Sequence, residues 1–297
     1  VMAVPFLGEG FALGASVCWA IGPLVAYKGV EALGTFRFSM YRFFTAALAL
    51  FLIAFALGDV HLGNTRAMAY LAASGVIGVA LGEAALFQAV FLLGPRRSSV
   101  IFALHAPLTA VLGSVLFREA VKPLTVLGVT LAFAGVYAAV MFRAPTEKAG
   151  GTYHKPATAR LGFLLVAVAL ACQVAGALLA KEVVDGVAPF FASFVRTFAA
   201  TVAFLPVLLV LRGAPRAKGS AHLPIVLVSA LVSTIGGMTL LLAALASAGI
   251  VRAVILSSMS PVIYIFLMSV FRGERFPVLA WIGSIMAVVG AAIAILA

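Results

Sequence analysis

Residues 161–179 read LGFLLVAVALACQVAGALL, an unbroken run without a charged side chain. A strand of a membrane β-barrel alternates apolar and polar residues over about ten positions, whereas Leu161 to Leu179 is apolar on every side. About 20 such residues cross a hydrocarbon core of about 30 Å as a helix, so the stretch reads as a membrane-spanning helix. Working outward, breaks at clusters of charge, Gly and Pro leave further apolar runs near 11–27, 36–57, 67–92, 97–117, 121–142, 160–180, 187–211, 222–247, 250–271 and 276–296. The 297 residues are 64% hydrophobic and 10% charged, with a mean hydropathy of +1.21. Soluble domains run at about 45–50% and about 25%, which excludes a water-soluble enzyme or a nucleic-acid binder. The first run lacks a basic n-region and a small-residue cleavage site, which predicts a retained span. Cys18 and Cys172 lie inside apolar runs and read as small packing residues.

The runs fall into two sets of five on either side of a polar stretch at 143–160, which predicts repeats over 1–142 and 161–297 joined by a linker. Adding 154 to a position in the first set lands on its match in the second: Cys18 on Cys172, Gly22 on Gly176, Ser39 on Ser193, Arg42 on Arg196, Phe44 on Phe198, Gly82 on Gly236, Ala89 on Ala243, Pro107 on Pro261. Phe117-Arg118 matches Phe271-Arg272, and one inserted residue then carries Glu119 to Glu274, Gly128 to Gly283 and Gly135 to Gly290. Arg, Cys, Pro and Glu are scarce in this chain, so their coincidence carries the argument. Five spans per unit is odd, so the second copy enters the bilayer inverted. An inverted repeat predicts a site between the halves near the midplane, served by alternating access.

The segment Ser257-Ser258-Met259-Ser260-Pro261, followed by Gly273-Glu274-Arg275, Gly283 and Gly290, resembles the EamA-type signature of the drug/metabolite transporter superfamily. A weaker copy stands in Pro107, Arg118-Glu119, Gly128 and Gly135. The resemblance covers essentially the whole chain and implies an all-α integral membrane protein of ten helices that exports metabolites, often amino acids. His105 stands in the first copy where the second has Met259. No span-one glutamate like that of the small multidrug members is present.

Of nine acids only Glu83 lies deep in a span, and His105 is the only one of four histidines within a span. An intramembrane ionisable group usually faces a bundle interior or an aqueous cavity. Their similar depth on neighbouring antiparallel spans predicts that Glu83 and His105 meet, either as a neutral structural contact or to handle substrate or a proton. Arg42 and Arg196, the repeat-matched cations, either snorkel to the headgroups or supply one guanidinium for a substrate carboxylate. Pro107 and Pro261 interrupt the helix ladder near the centres of spans four and nine, freeing the carbonyls of Ala103 and Ser257, as a kink or as a hinge. Trp19, Gln88, Gln173, Met238, Met259 and Tyr264 complete the expected cavity lining, each also readable as packing.

Odd-numbered connections carry thirteen Lys and Arg against five in the even-numbered ones, which places odd loops in the cytoplasm and both termini outside. With 23 Phe and few deep charges, a cavity here suits hydrophobic or aromatic amino acids. The reading is a secondary transporter of the cell inner membrane, working as a monomer on a small-molecule substrate in the lipid bilayer. It uses no cofactor, metal or nucleic acid, and no Walker A motif is present to couple ATP. An intramembrane enzyme or flippase acting on a lipid is the alternative, although one deep acid does not make a paired-carboxylate metal site. A channel is disfavoured by the lack of a repeated filter sequence.

Overall fold

The computed structural model describes residues 6–60, 63–142, 156–210 and 223–296. Among them there is no strand, and ten helices are long and apolar enough to cross a membrane. In chain order, spans one to ten are Leu7–Ala26, Thr35–Ala56, Thr65–Leu93, Arg97–Leu116, Pro123–Met141, Ala159–Val184, Pro189–Pro206, Leu223–Ser247, Gly249–Phe271 and Val278–Leu296. Residues 143–155 of the expected linker lie outside the described residues. Residues 156–160 do not belong to a linker, because the helix that contains span six already begins at Pro156, and proline is tolerated where its missing N–H has no helical partner.

Small residues decide the packing. Gly128 and Gly135 on span five are two turns apart and so share one face, as do Gly283 and Gly290 on span ten. The two faces meet backbone to backbone: a Cβ at Gly135 would collide with the main chain of Ala287, and one at Gly290 with that of Ala132. Spans two and seven form a second pair between the halves, filled by Met40, Phe43, Ala200 and Phe204, with the Phe43 and Phe204 rings 5.7 Å apart edge to face.

The first helix of each half crosses over into the other half. Span one packs on spans eight and nine, and span six packs on spans three and four. The contacts repeat with the sequence: Cys18 Sγ faces Gly236 while Cys172 faces Gly82, and Gly22 lies against Ser233 while Gly176 lies against Gly78. The result is two bundles, spans one, eight and nine against spans three, four and six, flanked by the two inter-half pairs.

Four spans are interrupted, at repeat-equivalent places. Spans three and eight widen into π-helix at Gly75–Leu81 and Ala230–Gly236. Spans four and nine break between Phe102 and His105 and between Ser257 and Ser260. Pro107 and Pro261 lie in the first turn of the helices that follow. They therefore open a new helix where a proline costs no ladder bond, rather than bending a continuous one.

Replacing Gly135 with Val should lower the thermal unfolding midpoint of the detergent-solubilised protein, because overpacking against backbone costs about 1–3 kcal/mol. Gly10→Ala should leave the midpoint level or raise it, since nothing lies within 4 Å of a Cβ there and the helix gains up to about 1 kcal/mol from alanine.

Candidate functional site

Ser39 and Arg42 are three residues apart on span two and so project from one helix face. Opposite them Glu83 sits just past the π segment of span three. One terminal nitrogen of Arg42, Nη2, donates to both carboxylate oxygens of Glu83 at 2.6 and 2.8 Å, and Ser39 Oγ donates to Oε1 at 2.6 Å. Both charged side chains are mostly buried, 15% and 17% exposed. The guanidinium carbon also lies 4.9 Å from the centre of the Phe43 ring. Desolvating a lone charge costs several kcal/mol, so each partner is what makes the other tolerable inside the protein.

The expected contact between Glu83 and His105 is not made. His105 Nδ1 instead lies 2.8 Å from the Phe102 carbonyl oxygen, and its ring stacks on that of Phe102 at 4.7 Å. It closes the helix end at the span-four break, a carbonyl that lost its ladder partner and must be satisfied locally in a membrane. Span nine solves the same problem with a hydroxyl: Ser258 Oγ donates to the Ile255 carbonyl at 2.7 Å, while Ser257 Oγ at 3.2 Å joins the Ser258 amide on the Val254 carbonyl. The side chains thus serve carbonyls ahead of the break and not those of Ala103 and Ser257, since the new helix starts before the proline.

Trp19 is held at the other kind of interruption. In span eight the Gly237 amide reaches back five residues to Val232, passing over the Ser233 carbonyl, and Trp19 Nε1 donates to that oxygen at 3.2 Å. The indole lies against Gly237, where a Cβ would come within 2.5 Å of Nε1. Next along span eight, Met238 Sδ accepts from Thr197 Oγ1 on span seven at 3.5 Å. Trp19, Met238 and Thr197, with Arg196 beside it in the chain, therefore lie on one path from span one to span seven. Met259 is buried at the span-nine break, Gln173 and Tyr264 are half-buried, and Gln88 is exposed on span three.

Arg196 occupies the position on span seven that Arg42 holds on span two, without an acid. It is 4% exposed, and its Nε and Nη1 have no hydrogen-bond partner. The residue equivalent to Glu83 is Gly237, and Ser193 accepts a hydrogen bond from Thr239 Oγ1 at 3.0 Å.

Two functional contacts escaped the sequence reading. Ser39 completes the Glu83 pair, and its match to Ser193 in the repeat was the available signal. Glu119, expected only as a span-end acid, accepts from the backbone amides of Ile250 and Val251 at 2.6 and 3.2 Å and so caps the start of span nine. Gly249 before it has φ +77° and leaves room for that carboxylate. A cleft of about 130 Å³ opens beside it, lined by Lys122, Thr125, Ala248 and Arg252.

Ten spans in two inverted halves, with interruptions at repeat-equivalent places, define a membrane protein of the duplicated type. The EamA-like transporter family matches the chain twice, over residues 6–141 and 160–296, and the chain belongs to that family. A solved crystal structure, described only as that of a protein, covers 97% of this chain and 97% of its own at 16% identity with a TM-score of 0.78, and it shows the same fold. A sodium-calcium exchanger aligns over 96% of this chain and 94% of its own at 16% identity, but its TM-score of 0.18 carries no argument. No curated protein matches the sequence.

Glu83→Leu and Arg42→Met should each destabilise the purified protein by about 3–5 kcal/mol, because each leaves a buried charge uncompensated. The double replacement Arg42→Met with Glu83→Leu should recover most of that loss. Unfolding of all four proteins in one detergent closes the cycle, and additive losses would show that the two groups act independently.

Proposed function

We propose that this protein exports small metabolites, most suitably hydrophobic or aromatic amino acids, by alternating access between its inverted halves. The observation that carries the reading is the repeat-symmetric set of interruptions in spans three, four, eight and nine. In transporters built from inverted repeats, discontinuous helices surround the substrate near the bilayer midplane. Here they fall in the two bundles that the crossover of spans one and six creates. Bundles joined this way can rock against each other while spans two and seven, and five and ten, hold them together.

The chemistry of the interior supports the substrate class. Trp19, Met238, Met259 and the phenylalanines of spans two and seven offer apolar and aromatic surface, with few polar anchors among them, as a small-molecule site for an apolar ligand requires. In this reading Trp19, Gln173, Met238, Met259 and Tyr264 line the path, Gln88 lies at its edge, and His105 shapes the span-four break without touching Glu83. Residues 1–142 and 161–297 are the two moving repeats, and the single chain in the inner membrane is the working unit. Its partners are the substrate and the bilayer, and no reaction, cofactor or nucleic acid enters.

Purified protein in proteoliposomes preloaded with L-phenylalanine should exchange it for external labelled L-phenylalanine, L-tryptophan or L-leucine, and not for glucose or glucose phosphate. Uptake of the sugars in preference to the amino acids would sink the substrate assignment. With the hinge at the breaks, Pro107→Ala and Pro261→Ala should slow exchange several-fold while leaving equilibrium binding within about twofold, because altered gating acts on populations and rates more than on contacts. Normal exchange by both variants would leave the prolines as packing residues.

A further inference from the structure

The two halves differ in charge at a place where the repeat keeps both the serine and the arginine. In the first half Ser39, Arg42 and Glu83 form a neutral group, in which Arg42 Nη2 is paired with the carboxylate and Nε has no partner. Their equivalents are Ser193, Arg196 and Gly237: the serine and the arginine are kept, and the acid is replaced by a hydrogen atom. The Trp19 indole has taken the space beside Gly237 that an acidic side chain would need. Arg196 is left almost wholly buried, with the N–H groups of Nε and Nη1 unused. Nε–H and the Nη1 amino group together offer three donors and no acceptor, and a buried guanidinium without a counter-anion is costly.

We propose that the carboxylate of the transported molecule is the missing counter-anion, and that Arg196, not Arg42, is its anchor. This rests on the export reading above and names the group of the substrate that is held. Arg42 is excluded because Glu83 already occupies it. A single guanidinium suits a monoanionic carboxylate, which its planar fork matches. A phosphate dianion would call for a second cation, and the repeat match of Arg196, Arg42, is neutralised by Glu83 and lies on the other side of mid-depth, since inverted helices carry equivalent residues to opposite sides. The location also suits coupling. The main chain of Arg196 lies against Gly75, where the π segment of span three begins, and the neighbouring Thr197 reaches Met238 on span eight. An anion held here bears on one interrupted span from each bundle at once. The aromatic wall of Trp19 beside Gly237 gives an apolar side chain a surface near the anchor.

The test measures equilibrium binding to the full-length protein in detergent, using 3-phenylpropionate, its neutral isostere 3-phenylpropionamide, and L-phenylalanine. The wild type should bind 3-phenylpropionate and L-phenylalanine and bind the amide about tenfold to a hundredfold more weakly, the range expected for a charge-assisted hydrogen bond. Arg196→Met should erase the difference between acid and amide, and Arg196→Lys should restore part of it. The unliganded Arg196→Met protein should unfold at the same or a higher temperature than wild type, the reverse of Arg42→Met, because it loses a lone charge and not half of a pair. Equal binding of acid and amide by the wild type, which needs no variant, overturns the proposal, as does undiminished preference for the acid in Arg196→Met. Exchange of L-phenylalanine that persists in Arg196→Met also overturns the anchor and leaves the export reading standing. Arg196-dependent binding of 3-phenylpropionate without exchange of any amino acid supports the anchor and removes the amino-acid assignment.

Discussion

In hydrocarbon a backbone N–H or C=O without a partner costs several kcal/mol, and several of the polar side chains inside this protein answer that constraint. An uninterrupted helix meets the requirement by itself. This chain interrupts four of its ten, and at three of the interruptions a side chain supplies the bond that the ladder gave up: His105 for the Phe102 carbonyl, Ser258 for that of Ile255 and Trp19 for that of Ser233, while Glu119 does the same for the amides of Ile250 and Val251 at the start of span nine. Two of the four repairs cross between the halves, since Trp19 comes from span one and Glu119 from the end of span four. Local backbone chemistry and the assembly of the halves are therefore one problem. The crossover of span one into the second bundle brings the indole to the π segment it completes.

Charge obeys the same logic with a different outcome in each half. Glu83 and Arg42 cancel, and Ser39 takes up a further lone pair of the carboxylate, so the first half carries an internal ion pair that it would be costly to open. Glycine at 237 lets Trp19 approach span eight, and the same glycine removes the acid that would have balanced Arg196. One difference between the repeats thus links the aromatic contact to the unbalanced cation. Symmetry of backbone combined with asymmetry of charge suits the proposed carriage of a carboxylate, because a site on the pseudo-axis still needs one end of its ligand held in a defined place.

Much of this could be read from the residues in order. Span count, duplication and inversion follow from apolar runs and from the matches of Arg, Cys, Pro and Glu, because hydropathy and scarce residue types survive when neighbours are unknown. The inter-half contact of spans five and ten is written in the spacing of Gly128, Gly135, Gly283 and Gly290. The span that each deep residue belongs to was legible too, since Glu83 falls in Thr65–Leu93 and His105 in Arg97–Leu116. The direction in which each faces about its helix axis was not, and that angle decides that Glu83 meets span two while His105 turns back on its own helix. The π segments were also invisible, since a run such as Gly75–Leu81 has nothing in its composition that distinguishes an i→i+5 turn from the usual one. They follow from close packing on the glycines and serines of the crossed-over helices, which only the three-dimensional arrangement supplies.

The contacts that join the two bundles differ in kind from those that flank them. At the end of the molecule carrying the start of span one, Lys181 on span six donates to the Leu245 carbonyl on span eight at 2.9 Å, and Glu119 caps span nine. At the same end Arg252 bonds Glu9 at 3.0 Å and Arg66 bonds Glu182 at 2.9 Å, each within one bundle. The Arg66 and Glu182 side chains are well exposed, and such pairs contribute about 0–1 kcal/mol. Spans five and ten, by contrast, touch through main-chain atoms over two turns, and separating them would expose a backbone-close interface with nothing to replace it. Polar contacts to carbonyls and amides that water can also satisfy are the ones a rocking motion can exchange at small cost. The glycine-lined pair is the one that the proposed rocking must leave intact, so in that proposal the flanks stay rigid and the bundles move against each other along the proposed path.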